Sequence, residues 1–205
     1  MIQLVKTAAL AMLLSLGAMM PGHAETQVAA PEPVDFSIGA ADAKVKMVEY
    51  ASFTCPHCAQ FHTDVYGKLK KDYIDTGKVH FTLREVYFDR YGLWASMVAR
   101  CGGEMRYFSI QDILFSTQQD WAGSQDPAVV AKNLKTIALS VGMDSAAVDT
   151  CMNDAAMAEA LIARSDTNMK ADDVQGTPTI FVNGTKYSNM SYDDLKVILD
   201  AELAK

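Results

Sequence analysis

This 205-residue sequence predicts an α/β fold in which a small strand-and-helix unit is interrupted by an all-helical insertion. Three observations predict it. An apolar, β-branched run at 45–53 is followed by helical periodicity and a second strand-like run at 79–87, which reads as β-α-β. Residues 90–172 carry helical patterning with no strand signal and no repeat. The end of the chain then reads as two short strands and a helix. The composition is ordinary for a globular protein: half the residues are hydrophobic and 21% are charged. A chain of this size buries a core without needing disulfides merely to fold.

The first residues are read separately. Lys6 and the amino terminus make a weakly positive start, and Thr7 to Met20 is an apolar run of 14 residues. Gly22 and Ala24 put small residues at the two positions that a signal peptidase reads. Residues 1–24 are therefore expected to be a cleaved secretory signal peptide. The run is short for a membrane anchor, which needs about 20 residues. The formal charge of the whole chain is −7 and becomes more negative when Lys6 leaves with the signal. An acidic chain of this kind disfavours nucleic acid and anionic membrane surfaces as partners. Export also places all four cysteines in a compartment where disulfides form and persist.

Residues 25–34 read as a flexible leader with Pro31 and Pro33, ending in a short edge strand near Val34–Ile38. The run from Val45 to Phe53 is of strand length and leads straight into Thr54-Cys55-Pro56-His57-Cys58. Pro56 sits where a helix tolerates it, in the first turn. Phe61, Val65 and Leu69 recur at helical spacing, so a helix is expected to about Tyr73. Thr76-Gly77 marks a turn before the strand from Val79. Helices are expected over Leu93–Cys101, Glu104–Thr117, Pro127–Val141, Asp144–Met152 and Ala155–Met169. Thr179–Val182 is a strand, Asn183-Gly184 is a hairpin turn, and Tyr192–Leu203 is a closing helix. Residues 35–88 and 173–205 together make the α/β unit, and 89–172 make the insertion.

The chemistry is carried by Cys55-Pro56-His57-Cys58. Two cysteines three positions apart at a helix start can face each other and close a small disulfide. Unpaired backbone N–H groups and the helix dipole stabilise a thiolate on the first of them. His57 can add positive charge or a hydrogen bond. The thiolate is the form that attacks and leaves in disulfide exchange, so stabilising it makes the disulfide a better oxidant. Cys55 is expected to be the attacking and attacked sulfur, and Cys58 the buried partner that resolves mixed disulfides. A zinc site would need four ligands, and neither a second Cys-x-x-Cys nor a His-x-x-x-His is present. Covalent haem would need His after the second Cys, where Ala59 stands. An inert structural disulfide is the remaining alternative. No metal and no cofactor is expected.

The sequence resembles the DsbA-like thiol:disulfide oxidoreductases of the thioredoxin superfamily, in particular their bacterial periplasmic branch. The resemblance rests on Val-Glu-Tyr-Ala-Ser-Phe-Thr-Cys-Pro-His-Cys at 48–58 and Gly-Thr-Pro-Thr-Ile-Phe-Val-Asn-Gly at 176–184, and covers about residues 35–203. It implies a thioredoxin-like fold with an inserted helical subdomain. It implies that Pro178 is a cis-proline facing the two cysteines and that Thr177 offers backbone hydrogen bonds to a bound chain. It implies that Glu49, six residues before Cys55, is a buried acid able to move a proton for Cys58. The alternative for Glu49 is a solvent-facing strand residue. The sequence departs from the family's pattern twice. His62 stands where relatives often carry Glu, with Arg84 a candidate basic partner for the buried acid. Thr177 stands where the main oxidant often has Val.

Cys101 and Cys151 lie in helices of the insertion. They would pair as a structural disulfide if their Cα atoms approach within about 7 Å; two buried thiols or a regulatory pair are the alternatives. His80, Tyr107, Phe108 and Trp121 read as structural residues, and the methionines form no cluster. An exposed apolar patch near Cys55 is expected for gripping unfolded chains. The leading function is a periplasmic enzyme, expected to be monomeric, that donates its disulfide to unfolded exported proteins and is reoxidised by a DsbB-like membrane quinone reductase. The competing readings are a disulfide isomerase or reductase kept reduced, and a redox-linked chaperone or metal-binding module. Isomerases of that kind usually dimerise through an extra N-terminal domain, for which residues 25–44 are too few.

Overall fold

The computed structural model describes residues 32–205; the expected signal peptide and most of the leader lie outside them. Strands β1 (Phe36–Ile38), β2 (Val45–Ala51) and β3 (Val79–Glu85) precede the helical block, and β4 (Thr179–Val182) and β5 (Thr185–Ser188) follow it. They form one five-stranded sheet in the order β1-β3-β2-β4-β5. β2 and β3 are parallel and joined by the helix after the cysteine motif; the other pairings are antiparallel. The central strand β2 thus carries its C-terminal end, and the cysteines beyond it, to one edge of the sheet's midline.

Period-two alternation decides what each face holds. Val45, Met47, Glu49 and Ala51 stand level with Val79, Phe81, Leu83 and Glu85, all buried. Most of them pack in the main core under the helices. Tyr50, level with Arg84, looks to the other face, where it packs with Val86 and Val174. A turn at Gly39 separates β1 from β2. Its φ is +99°, and a Cβ there would lie 2.4 Å from the Val79 carbonyl oxygen, so only glycine fits.

The helix after the motif runs as α1 (Pro56–Phe61), a π-helical turn (His62–Tyr66), α2 (Gly67–Leu69) and a second π-helical turn (Lys70–Ile74). Helices α3 (Arg90–Cys101), α4 (Glu104–Ser116), α5 (Gln118–Ala122), α6 (Pro127–Ser140), α7 (Ser145–Met152) and α8 (Ala155–Ala171) lie between β3 and β4, and α9 (Tyr192–Ala204) closes the chain. α3 starts three residues before the sequence expectation because the Asp89 carboxylate accepts from the N–H groups of Tyr91 and Gly92 and caps it. α5 was not expected at all; its five residues are too few to show periodicity. At the seam between sheet and insertion, Arg100 of α3 donates to both oxygens of Glu85 at 2.9 and 2.5 Å, and Tyr107 of α4 donates to it at 2.6 Å.

Candidate active site

The cysteine motif lies where β2 hands over to α1. Cys55 has extended backbone (φ −81°, ψ 119°) and Pro56 opens the helix. The Cys55 carbonyl accepts from the N–H groups of Cys58 and Ala59, both at 3.1 Å. Cys55 is half-buried and Cys58 is buried, and both are free thiols. The peptide between Thr177 and Pro178 is cis, and Cys55 Sγ lies 3.5 Å from the Thr177 carbonyl oxygen. The segment at 176–178, just before β4, therefore faces the motif from more than a hundred residues away in the sequence.

The two sulfurs have opposite proton affinities. The hydrogen bond from Cys58 and the backbone N–H groups of Cys58 and His57 pull the Cys55 pKa down to about 5, against the opposing effect of burial. Cys55 is then mainly thiolate at pH 7. The Cys58 thiol is pushed far above its ordinary range by its bond to Cys55, by burial and by the negative charge of Glu49. Glu49 is fully buried, and its Oε2 lies 3.1 Å from His62 Nε2. His57 is exposed on the first turn.

Arg84 is not the partner of Glu49. Strand parity puts it level with Tyr50 on the opposite face, where it binds Asp35 at 2.9 Å and Asp172 at 2.8 Å. His62, noted in the sequence only as a departure, takes the place beside the acid. The structure joins Cys101 of α3 to Cys151 of α7 by a disulfide, with Cα atoms 6.0 Å apart. Tyr107, Phe108 and Trp121 are core residues.

Two contacts to the motif come from residues the sequence did not single out. Gln118 of α5 is buried and its amide donates to the carbonyls of Phe53 at 2.8 Å and Cys55 at 3.0 Å. The Thr54 hydroxyl donates to Asp89 at 2.7 Å. The first turn of α3 comes so close that a Cβ on Gly92 would lie 3.2 Å from the hydroxyl oxygens of both Ser52 and Thr54. These contacts join residues far apart in sequence, so no local pattern carried them. The helical block thus grips the motif from two helices.

The chain matches the family model described as Thioredoxin over residues 32–201. It is 34% identical to a Rickettsia bellii protein named a protein-disulfide oxidoreductase, over 81% of this chain and 63% of that one. It is 29% identical to the Bacillus subtilis disulfide bond formation protein D, over 81% of this chain and 76% of that one. The chain spans about three-fifths of the length of the Rickettsia relatives it matches. The crystal structure of Wolbachia pipientis alpha-DsbA1 superposes with a TM-score of 0.78 at 26% identity, over 85% of this chain and 93% of that one. Bacillus subtilis BdbD shares the fold, with a TM-score of 0.74 at 24% identity over 83% of this chain and 94% of that one. With its motif at the start of a helix and its helical block set between β3 and β4, the chain belongs to the thioredoxin family, among its DsbA-like members.

Proposed function

We propose that this protein is a disulfide oxidoreductase that donates the Cys55–Cys58 disulfide to newly exported proteins in the bacterial periplasm, through a mixed disulfide at Cys55. The carrying observation is the split between a half-buried Cys55 with a pKa near 5 and a buried Cys58 held as thiol. A substrate thiolate attacks Cys55 Sγ. The new substrate–Cys55 bond forms as the Cys55–Cys58 bond breaks, and Cys58 takes up a proton. A second substrate thiolate then attacks the substrate sulfur of the mixed disulfide, and Cys55 leaves as thiolate. Substrate has lost two electrons and the enzyme has gained them. A stable Cys55 thiolate favours this direction, because it is both the better leaving group and the lower-energy product.

Thr177, before the cis-proline, is placed to hold an extended substrate chain by its backbone. Phe88, 58% exposed and next to the Asp89 that binds Thr54, supplies an apolar contact for unfolded chain. His57 and Pro56 shape the first turn, and Glu49 serves the proton of Cys58. The partners in this reading are unfolded exported proteins and a DsbB-like membrane quinone reductase that reoxidises the monomeric enzyme. The apolar run with its Gly22 and Ala24 supports export.

A glutathione redox titration, with thiols trapped and counted by mass, tests the reading. A strongly oxidising Cys55–Cys58 equilibrium supports the donor. A couple as reducing as thioredoxin overturns it and favours a reductase or isomerase.

A further inference from the structure

Thr177, whose carbonyl oxygen lies 3.5 Å from Cys55 Sγ, belongs to a loop. The loop leaves α8 at Asp172 and Asp173 and enters β4 at Thr179. Asp173 has a φ of +50°, in the left-handed region that residues other than glycine seldom adopt. Val174 is buried with Tyr50 and Val86, and its N–H donates to the Met169 carbonyl at 2.8 Å. At the far end the Thr179 hydroxyl donates to the Gly176 carbonyl at 2.7 Å.

Side chains from three strands converge on the α8 end of this loop. Lys186 of β5 donates to the carbonyls of Asp172 at 3.2 Å and Asp173 at 2.6 Å, and to the Asp173 carboxylate at 3.1 Å. An ammonium has three N–H donors, and here all three go to one turn. From the other side, Tyr50 of β2 donates to Asp172 Oδ2 at 2.5 Å. Arg84 of β3 donates to the same oxygen and to the Tyr50 hydroxyl, both at 2.8 Å. Lys186 stands opposite Phe181 of β4, and β4 begins directly after Pro178. Lys186 thus ties the start of the loop to the hairpin that carries its end. Thr177 and Lys186 also line one surface cleft of about 590 Å³.

The Lys186 side chain is 38% exposed and that of Asp173 77%, and ion pairs so open to water add little to stability. What these contacts restrict is the freedom of the turn that leads to Thr177. We propose that Lys186 is a positioning residue for polypeptide substrates. With Tyr50 and Arg84 acting on Asp172, it clamps the base of the loop and holds the Thr177 backbone ready for an extended chain. The inference rests on the exchange activity and the role of Thr177 proposed above. A loop already in place needs less ordering when substrate binds. The clamp bonds to neither sulfur, so it acts on the affinity for polypeptide and not on the exchange at Cys55. Its effect is confined to substrates with peptide backbone beside the reacting cysteine, because a small thiol has none for Thr177 to hold.

The test is stopped-flow reduction of the oxidised protein by reduced, unfolded ribonuclease over a range of concentrations, and separately by dithiothreitol. Lys186→Met keeps the length of the side chain and removes its donors. It is expected to raise the half-saturation concentration for ribonuclease about tenfold, with the limiting rate within about twofold. The dithiothreitol rate and the glutathione equilibrium constant should stay within about threefold. Lys186→Arg retains a cation and donors and should recover most of the affinity. Tyr50→Phe removes one donor from Asp172 and should shift the half-saturation concentration in the same direction as Lys186→Met. An unchanged half-saturation concentration in Lys186→Met overturns the proposal. So does equal slowing with both reductants, which marks a general disturbance of the cysteines. A fall in limiting rate at constant half-saturation concentration overturns it as well. If dithiothreitol reduces the unaltered protein but unfolded ribonuclease does not, the functional reading beneath the proposal fails instead.

Discussion

Cys55 and Cys58 are the same side chain three positions apart, and their environments separate them. One sits at the open N-terminal end of the helix among backbone N–H groups, and the other lies a turn in, away from solvent beside an acid. This has a consequence for pH. Reduction of an ordinary disulfide consumes two protons for two electrons. Here Cys55 stays ionised above pH 5, so reduction consumes one. The midpoint potential should therefore fall by about 30 mV per pH unit between pH 6 and 8, rather than about 60. Glutathione titrations at several pH values check this, and a slope near 60 would mean that Cys55 is protonated there. A depressed folded-state pKa stabilises the reduced protein fully above the unfolded thiol value of about 8.5, and the contribution is lost as pH falls to 5.

Among the elements, the sequence resolved those with strong periodicity or clear punctuation. The helix beginning at Pro127 and the Asn183-Gly184 hairpin carry their own start and turn signals, and both stand where expected. α5 did not, because one short turn between α4 and Gly123 has no period to read. Yet α5 carries Gln118, so the least legible element holds a buried contact to the motif. The pairing of α3 with α7 was equally open, since two cysteines 50 residues apart reveal no distance. Closing a loop of that length restricts the unfolded chain. Replacing both Cys101 and Cys151 by Ala should cost about 4 kcal/mol, with the Cys55 pKa unchanged. Chemical unfolding and thiolate absorbance measure the two quantities separately. A loss under about 1 kcal/mol would show that helix packing alone fixes the pair.

At the scale of the molecule, the insertion is bound to the sheet by Glu85, Arg100 and Tyr107, and to the motif by Gln118 and Asp89. The helical block is thus part of the redox site's mounting. Gln118→Ala strips amide donors from two carbonyls in the motif's turn. It should destabilise the protein by about 1–3 kcal/mol and move the Cys55 pKa upward from about 5, because the Cys55 carbonyl dipole is then less neutralised. Denaturant unfolding and ultraviolet titration of the thiolate read these effects. A stable variant with an unshifted pKa would show that the motif holds its geometry without α5.

The sequence by itself determined what is local: strand alternation, helix period, a proline in a first turn, and two cysteines spaced to close a small ring. Family resemblance added Pro178 and Glu49 by position. Neither could show what lies across space. Whether Glu49 faced the core, that its partner is His62 and not Arg84, and that Gln118 reaches the motif were all decided by register and packing. A strand with Val48 and Tyr50 on either side of an acid reads equally well on either face. Only the neighbours brought by β3, α4 and the helix after the motif make one face dry.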